Sequence, residues 1–211
     1  MLIIMHTADL HFDNSPALKD VVKCCEFAHH IAIERKPDVI CITGDLFNQG
    51  CLLGSPATLE AIRFVVACAE VAPVLLVKGT LSHDAPPDCL DVFRNLKTSH
   101  PVHVSKTVEQ IVLLTNNAFV PATTTAINNA KAKAVFSCLP SVNKSNLYAN
   151  NRNSSFSTSI AVSNYEVAEL LRDILQSWGV VNKTANTMSI PTVVCAHGTV
   201  TGAVASTGQR S

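Results

Sequence analysis

Apolar residues in this chain fall into short unbroken runs, and each run gives way to polar residues. Leu2 to Met5, Val39 to Thr43, Pro73 to Val77 and Thr192 to Ala196 are four such runs. Their continuity, without alternation, predicts strands buried on both faces, as in a parallel sheet covered by helices. Between them the spacing changes to a helical one. Ser15-Pro16 predicts an N-cap and first turn, after which Leu18, Val21, Val22, Cys25, Ala28, His29 and Ala32 share one side. Pro37-Asp38 ends that segment. Ser55-Pro56 predicts a second helix, with Leu59, Ile62, Val66 and Ala69 along one side. Strand and helix alternate, which predicts a βαβα unit with right-handed crossovers.

From Val102 onward the pattern loosens. A short helix is expected near Cys89 to Asn95. Runs at Val102 to Val104, Gln110 to Leu114 and Val135 to Leu139, separated by Asn116-Asn117 and a threonine cluster, predict a more antiparallel region forming a second sheet packed on the first. Residues 141–159 hold eleven Asn or Ser in nineteen positions, so 141–162 is expected to be an exposed polar loop, in which Tyr148 and Arg152 are candidate contacts for a substrate or partner. A last helix is announced by Ser163-Asn164-Tyr165-Glu166, which fits a capping box, and by Val167, Leu170, Leu171, Ile174, Leu175 and Trp178 at a 3.6-residue period.

Composition narrows the class. With 211 residues, 47% hydrophobic and 15% charged, the chain is expected to form a single globular domain. No stretch approaches the roughly 18 apolar residues of a membrane span, and Met1 to Met5 lacks the features of a signal peptide, so a cytoplasmic protein without membrane attachment is expected. The eight cysteines form no C-x-x-C pair and read as small core residues in a reducing compartment; the sequons at Asn143, Asn153 and Asn182 then carry no glycosylation. Sixteen basic residues balance sixteen acidic ones. A nucleic-acid substrate would therefore have to be held through metals, a local patch or a partner.

The chemistry lies in polar fragments just past the ends of the runs: Asp9-Leu10-His11, Gly44-Asp45, Ser82-His83-Asp84 and His197-Gly198. Asp9 and His11, two apart, face the same side of an extended segment and can grip one cation. Asp45 leaves a buried strand through a glycine, and a buried carboxylate needs a cation beside it, so a bridging metal position answers its cost. His83 suits a general acid or oxyanion stabiliser, with Asp84 orienting its ring. His197 sits where a metal ligand would. His6 is expected beneath the site; His29, His30, His100 and His103 read as surface or boundary residues.

This ordered set resembles the calcineurin-like metallophosphoesterase superfamily, whose pattern runs D-x-H, G-D, G-N-H-D, H and G-H-x-H. His6-Thr7-Ala8-Asp9-Leu10-His11, Thr43-Gly44-Asp45-Leu46-Phe47 and Ala196-His197-Gly198 are similar to the SbcD nuclease branch. The resemblance implies a four-layer αββα sandwich and two divalent ions, Mn2+ by preference. It also implies that Asp9 and His11 bind the first ion, Asp45 bridges, His197 binds the second and His83 is the catalytic histidine. It further implies phosphodiester hydrolysis on DNA, an SbcC-like SMC-family ATPase subunit as partner, and room for a homodimer.

Two departures are visible. The asparagine of G-N-H-D is missing from Gly79-Thr80-Leu81-Ser82-His83-Asp84, so Ser82 or Thr80 is expected to stand in for it as a weaker metal ligand. No G-H-x-H follows His197, which leads to the expectation of a chain truncated before its C-terminal strands. Two other readings stay open: a phosphatase or nucleotide phosphodiesterase using the same metals, and a non-catalytic partner-binding scaffold.

Overall fold

Val39–Thr43 (β2) is buried at all five positions, and it anchors the molecule. In the computed structural model, which describes residues 1–50, 52–85, 89–128, 131–141 and 164–198, it lies between Ile4–Thr7 (β1) and Val74–Val77 (β3). Val102–Ser105 (β4) completes a four-stranded sheet in the order β1-β2-β3-β4, every neighbour parallel. Leu18–Arg35 (α1) connects β1 to β2, and Pro56–Val71 (α2) connects β2 to β3. Alternation along the strands divides their side chains. Ile40, Ile42, Val74, Leu76 and Val104 meet the two helices, whereas Val39, Cys41, Leu75 and Val77 face the other way.

The inward set packs against a second sheet made of Glu109–Leu114 (β5), Phe119–Pro121 (β6), Ala132–Leu139 (β7) and Thr192–Ala196 (β8), in the order β6-β5-β7-β8. Its β5 pairs are antiparallel, and β7 with β8 is parallel. Ile111, Leu113, Ala134, Phe136, Cys138 and Cys195 form its half of the shared core. On its outer face, Val112 and Val135 pack with Ile127 of Thr124–Asn128 (α3) and with Val181 and Ala185 of Asn164–Thr187 (α4). The protein is thus an α/β structure with a helix-flanked parallel sheet and a mixed sheet. No helix among the described residues is long and apolar enough to cross a membrane.

Several expectations need correction. The strand expected at Val102 to Val104 belongs to the first sheet, parallel to β3, because the short helix at Cys89–Asn95 acts as a crossover and Val104 turns toward the α1–α2 core. The first strand lies at Ile4–Thr7, later than the run Leu2 to Met5 indicates. Ser15 does not cap α1, which starts after Ala17 without a side-chain cap; Ser15 offers its carbonyl to the Leu18 amide instead. The threonine cluster hides a short helix, capped where the Thr123 hydroxyl accepts from the Ala126 amide. Ser55 and Pro56 do start α2, with the Ser55 hydroxyl accepting from the Thr58 amide. Along α4, Leu175 of the anticipated apolar stripe is 47% exposed. The segment 142–163, with Tyr148, Arg152 and Ser163, lies outside the described residues. The described cysteines are all free; burial pushes the thiols of Cys25 and Cys68 up to about 12, as for inert core residues, but Cys24 is exposed and does not belong to the core.

Candidate metal centre

All four parallel strands end at one edge of the first sheet, and the loops that leave β1, β2 and β3 there are laced together by their backbones. The amides of Asp9, His11 and Phe12 donate to the carbonyls of Gly44, Asp45 and Leu46, at 3.1, 3.0 and 2.9 Å. This pairing carries the Asp9–Phe12 segment alongside the Gly44–Phe47 segment, so the two motifs meet although 35 residues separate them in the chain. It requires unusual backbone: Asp9, His11 and Asp45 adopt φ of 54°, 48° and 48°. Left-handed conformations cost a non-glycine residue roughly 1–2 kcal/mol each, and such strain collects where geometry serves function.

Asp45 is the centre, 4% exposed. Its Oδ1 accepts from the Thr80 amide at 2.6 Å and from the Thr80 hydroxyl at 3.0 Å. Its Oδ2 lies 2.8 Å from His83 Nδ1 and 3.4 Å from His197 Nε2. Burial pushes the Asp45 carboxyl up, but the Thr80 amide and the two imidazoles outweigh it and hold it below the usual carboxylate range. The second sheet supplies His197 from the end of β8, where its Nδ1–H donates to the Thr43 carbonyl at 3.1 Å. Gly44 is needed for that approach: with φ at 86°, a Cβ there would stand 1.9 Å from His197 Nδ1.

The anticipated ligands converge, in a grouping that cuts across the expected one. Asp9, Asp45 and His197 bring ligand atoms within 4.8 Å of one another, and so do His11, Asp45 and His83. Asp45 belongs to both groups, whereas Asp9 and His11 stand in different ones. His11 Nδ1 is buried with no hydrogen-bond partner among the described residues, and its ring meets that of His83 edge-on, with centroids 4.7 Å apart. An orphaned imidazole nitrogen beside a buried carboxylate is the donor set a divalent cation satisfies, so these residues fit a metal pair.

Two roles differ from expectation. Asp84 does not orient His83; the ring's partners are Asp45 and the Thr80 hydroxyl, each 2.8 Å from Nδ1. The Asp84 carboxylate, fully buried, accepts instead from the Gly79 amide at 2.7 Å and the Phe47 amide at 3.1 Å, tying the loop after β3 to the loop after β2. Burial pushes its carboxyl up, only partly offset by those amides. Ser82 is exposed, and its hydroxyl reaches Thr80 Oγ1 at 3.2 Å rather than Asp45. Thr43 and the full set of Thr80 contacts carry no motif signal, since a carbonyl or a loop hydroxyl becomes visible only once the loops are folded.

Four of the remaining histidines are engaged elsewhere. His6 Nε2 pairs with Thr43 Oγ1 at 2.6 Å, next to the site; His103 bonds Glu109, His100 faces Asn117 and His30 faces Glu34.

The model of one protein family, calcineurin-like phosphoesterase, matches residues 2–209. No individual curated protein matches the chain.

Proposed function

The chain belongs to the calcineurin-like phosphoesterase family, metal-dependent hydrolases of phosphoester bonds, and on that premise we propose that it is a phosphodiesterase acting on DNA, a nuclease of the SbcD type. The observation that carries the reading is Asp45: one buried carboxylate shared by two Asp/His groups that together bring three imidazoles to it. The residues around the motifs, His6 to His11 and Thr43 to Phe47, support the SbcD branch. The reading includes the four-layer αββα sandwich, supported by two sheets that share a core and carry helices on their outer faces. It also includes an SbcC-like ATPase partner, which would supply the DNA grip that a chain of zero net charge lacks.

Asp9, Asp45 and His197 would hold one divalent ion and Asp45 and His11 the other, manganese by our reading, with His83 beside them as the acid and not as a ligand. Bound there, the pair would supply charge neutralisation at the phosphate and a lowered pKa for an attacking water. The protein's own groups prepare the rest. His197 carries its proton on Nδ1, because that nitrogen donates to the Thr43 carbonyl, and this leaves the Nε2 lone pair, 3.4 Å from Asp45 Oδ2, for a cation that the two would hold together. His83 donates through Nδ1 to Asp45, so its Nε2 stays on the solvent side of a ring that is 32% exposed. A proton on Nε2 is the one His83 can pass to a leaving oxygen. Asp84, out of solvent, fixes the spacing of the two loops that carry these groups.

Manganese-dependent cleavage of single-stranded or end-bearing duplex DNA, abolished in Asp45→Ala, is the expected result. Cleavage unaffected by that change rejects the centre. Turnover of DNA, bis-p-nitrophenyl phosphate and a phosphomonoester, measured side by side, separates a diesterase from a phosphatase; preference for the monoester would overturn the nuclease reading.

A further inference from the structure

The loop after β3 makes a two-residue excursion, Leu81-Ser82, and closes behind it. The amides of His83 and Asp84 return to the Thr80 carbonyl at 3.3 and 2.9 Å, so Thr80 is the residue at which the excursion leaves and rejoins the site. Leu81 is 40% exposed and Ser82 is exposed as well, whereas Thr80 is half-buried among three polar atoms. Its amide donates to Asp45 Oδ1, and its hydroxyl oxygen lies 3.0 Å from the same atom, 2.8 Å from His83 Nδ1 and 3.2 Å from Ser82 Oγ.

One arrangement of protons satisfies all four contacts. An ionised Asp45 only accepts, so the Thr80 hydroxyl gives its single proton to Oδ1. The His83 Nδ1–H is then shared between Asp45 Oδ2 at 2.8 Å and the Thr80 oxygen, and Ser82 donates to Thr80 from outside. Thr80 therefore touches both the shared carboxylate and the proton-carrying imidazole, and it fixes the rotation of each. Ser82 adds only a donor on the solvent side. We infer that Thr80 is the positioning residue of this loop, holding Asp45 and His83 in register through one hydroxyl, and that Ser82 has no part in the centre. The inference rests on the metal-centre reading above and goes beyond it in choosing between the two hydroxyls.

Calorimetric titration of Mn2+ into the full chain tests it without reference to activity. Thr80→Val keeps the shape and removes the hydroxyl, and is expected to weaken Mn2+ binding by about 10- to 100-fold, the range seen when a residue orienting a metal ligand is lost. Thr80→Ser is expected to bind close to wild type, and Ser82→Ala to be indistinguishable from it. With bis-p-nitrophenyl phosphate at saturating Mn2+, Thr80→Val should lower kcat and leave KM unchanged, because the hydroxyl orients reacting groups and makes no contact with substrate. Wild-type affinity in Thr80→Val, or a loss in Ser82→Ala equal to that in Thr80→Val, overturns the inference while the metal centre stands. Absence of Mn2+ binding in the wild type overturns both. If Thr80→Val does not fold, Thr80→Ala replaces it, and equal binding by the Ala and Ser variants overturns the inference.

Discussion

The two ends of the sheets are built by different rules. At the end where β1, β2, β3 and β8 finish, three non-glycine residues, Asp9, His11 and Asp45, hold left-handed backbone, two carboxylates are buried, and an imidazole nitrogen has no partner among the described residues. Positive φ elsewhere has an ordinary cause. Lys36 ends α1, and its amide returns to Ala32; Asn117 turns the β5–β6 hairpin; Ser189 follows α4. Caps and hairpins explain those three, and neither explains the site loops. Strain without a local structural purpose, next to buried charge, marks the end that selection has shaped for chemistry.

Glycines give the strongest way to break this contrast. At Gly79 an added Cβ would stand 2.0 Å from the Asp45 amide nitrogen and 2.8 Å from its Cα, both backbone atoms that cannot swing aside. Gly79→Ala should therefore force the two loops apart, part the Gly79 amide from Asp84, and remove Mn2+ binding and cleavage together. Its cost in stability is expected at or above the upper end of the roughly 1–3 kcal/mol typical of overpacking. Gly179 on α4 meets nothing within 4 Å, so the same substitution there should stabilise by roughly 0.5–1 kcal/mol through helix propensity alone. Thermal melts and Mn2+ titrations of the two variants check this, and equal effects at the two positions would remove the distinction.

A second test uses the unpartnered nitrogen. Mn2+ at about a hundredfold over its Kd should stabilise the fold by roughly 2.7 kcal/mol. His11→Leu should be no less stable than wild type without metal, since an unsatisfied buried polar atom costs about 1–3 kcal/mol, yet it should lose most of the metal-induced rise. Melting with and without Mn2+ reads both. A rise in His11→Leu as large as in wild type would show that the nitrogen has another use.

Much of the site end was legible because its strands are apolar on both faces. Val39–Thr43 could only be an interior strand, and the polar residues at such ends then had to share one edge. Ser55-Pro56 stated the start of α2 outright. What stayed hidden depends on contacts between loops. Asp84 follows His83 in sequence and reads as its orienter, but the chain turns at Thr80 so that the carboxylate points back to the Gly79 and Phe47 amides. Which ligand shares a group with which was equally hidden, because the Asp9–His11 segment is not a plain strand: its left-handed residues send the two side chains to different neighbours. The placement of β4 failed for a simpler reason, since a four-residue strand carries a pattern but no record of its neighbour.

The quiet end should respond least. There Asp38, just before β2, accepts from the Ile3 amide at 2.8 Å and pairs with Lys133 of β7 at 3.2 Å, linking the two sheets at the end away from the metal centre. Burial pushes its carboxyl up, but the Ile3 amide and the Lys133 ammonium outweigh that and leave it below the ordinary value of 3.8. A folded pKa below the unfolded one stabilises in full above the unfolded value, and the contribution fades as pH falls through it toward the folded one. Asp38→Asn should therefore lower stability by less than about 1 kcal/mol at neutral pH, less still in high salt, with Mn2+ affinity unchanged. Asp45 also has a depressed carboxyl, so acid titration of the wild type alone mixes the two ends; subtracting the variant's curve isolates Asp38. The gap between wild type and variant should be present in full well above the ordinary value of 3.8 and shrink as pH falls below it. A gap that widens on acidification would mean that Lys133 is not what holds the Asp38 proton off, and the latch would then be structural backbone pairing alone.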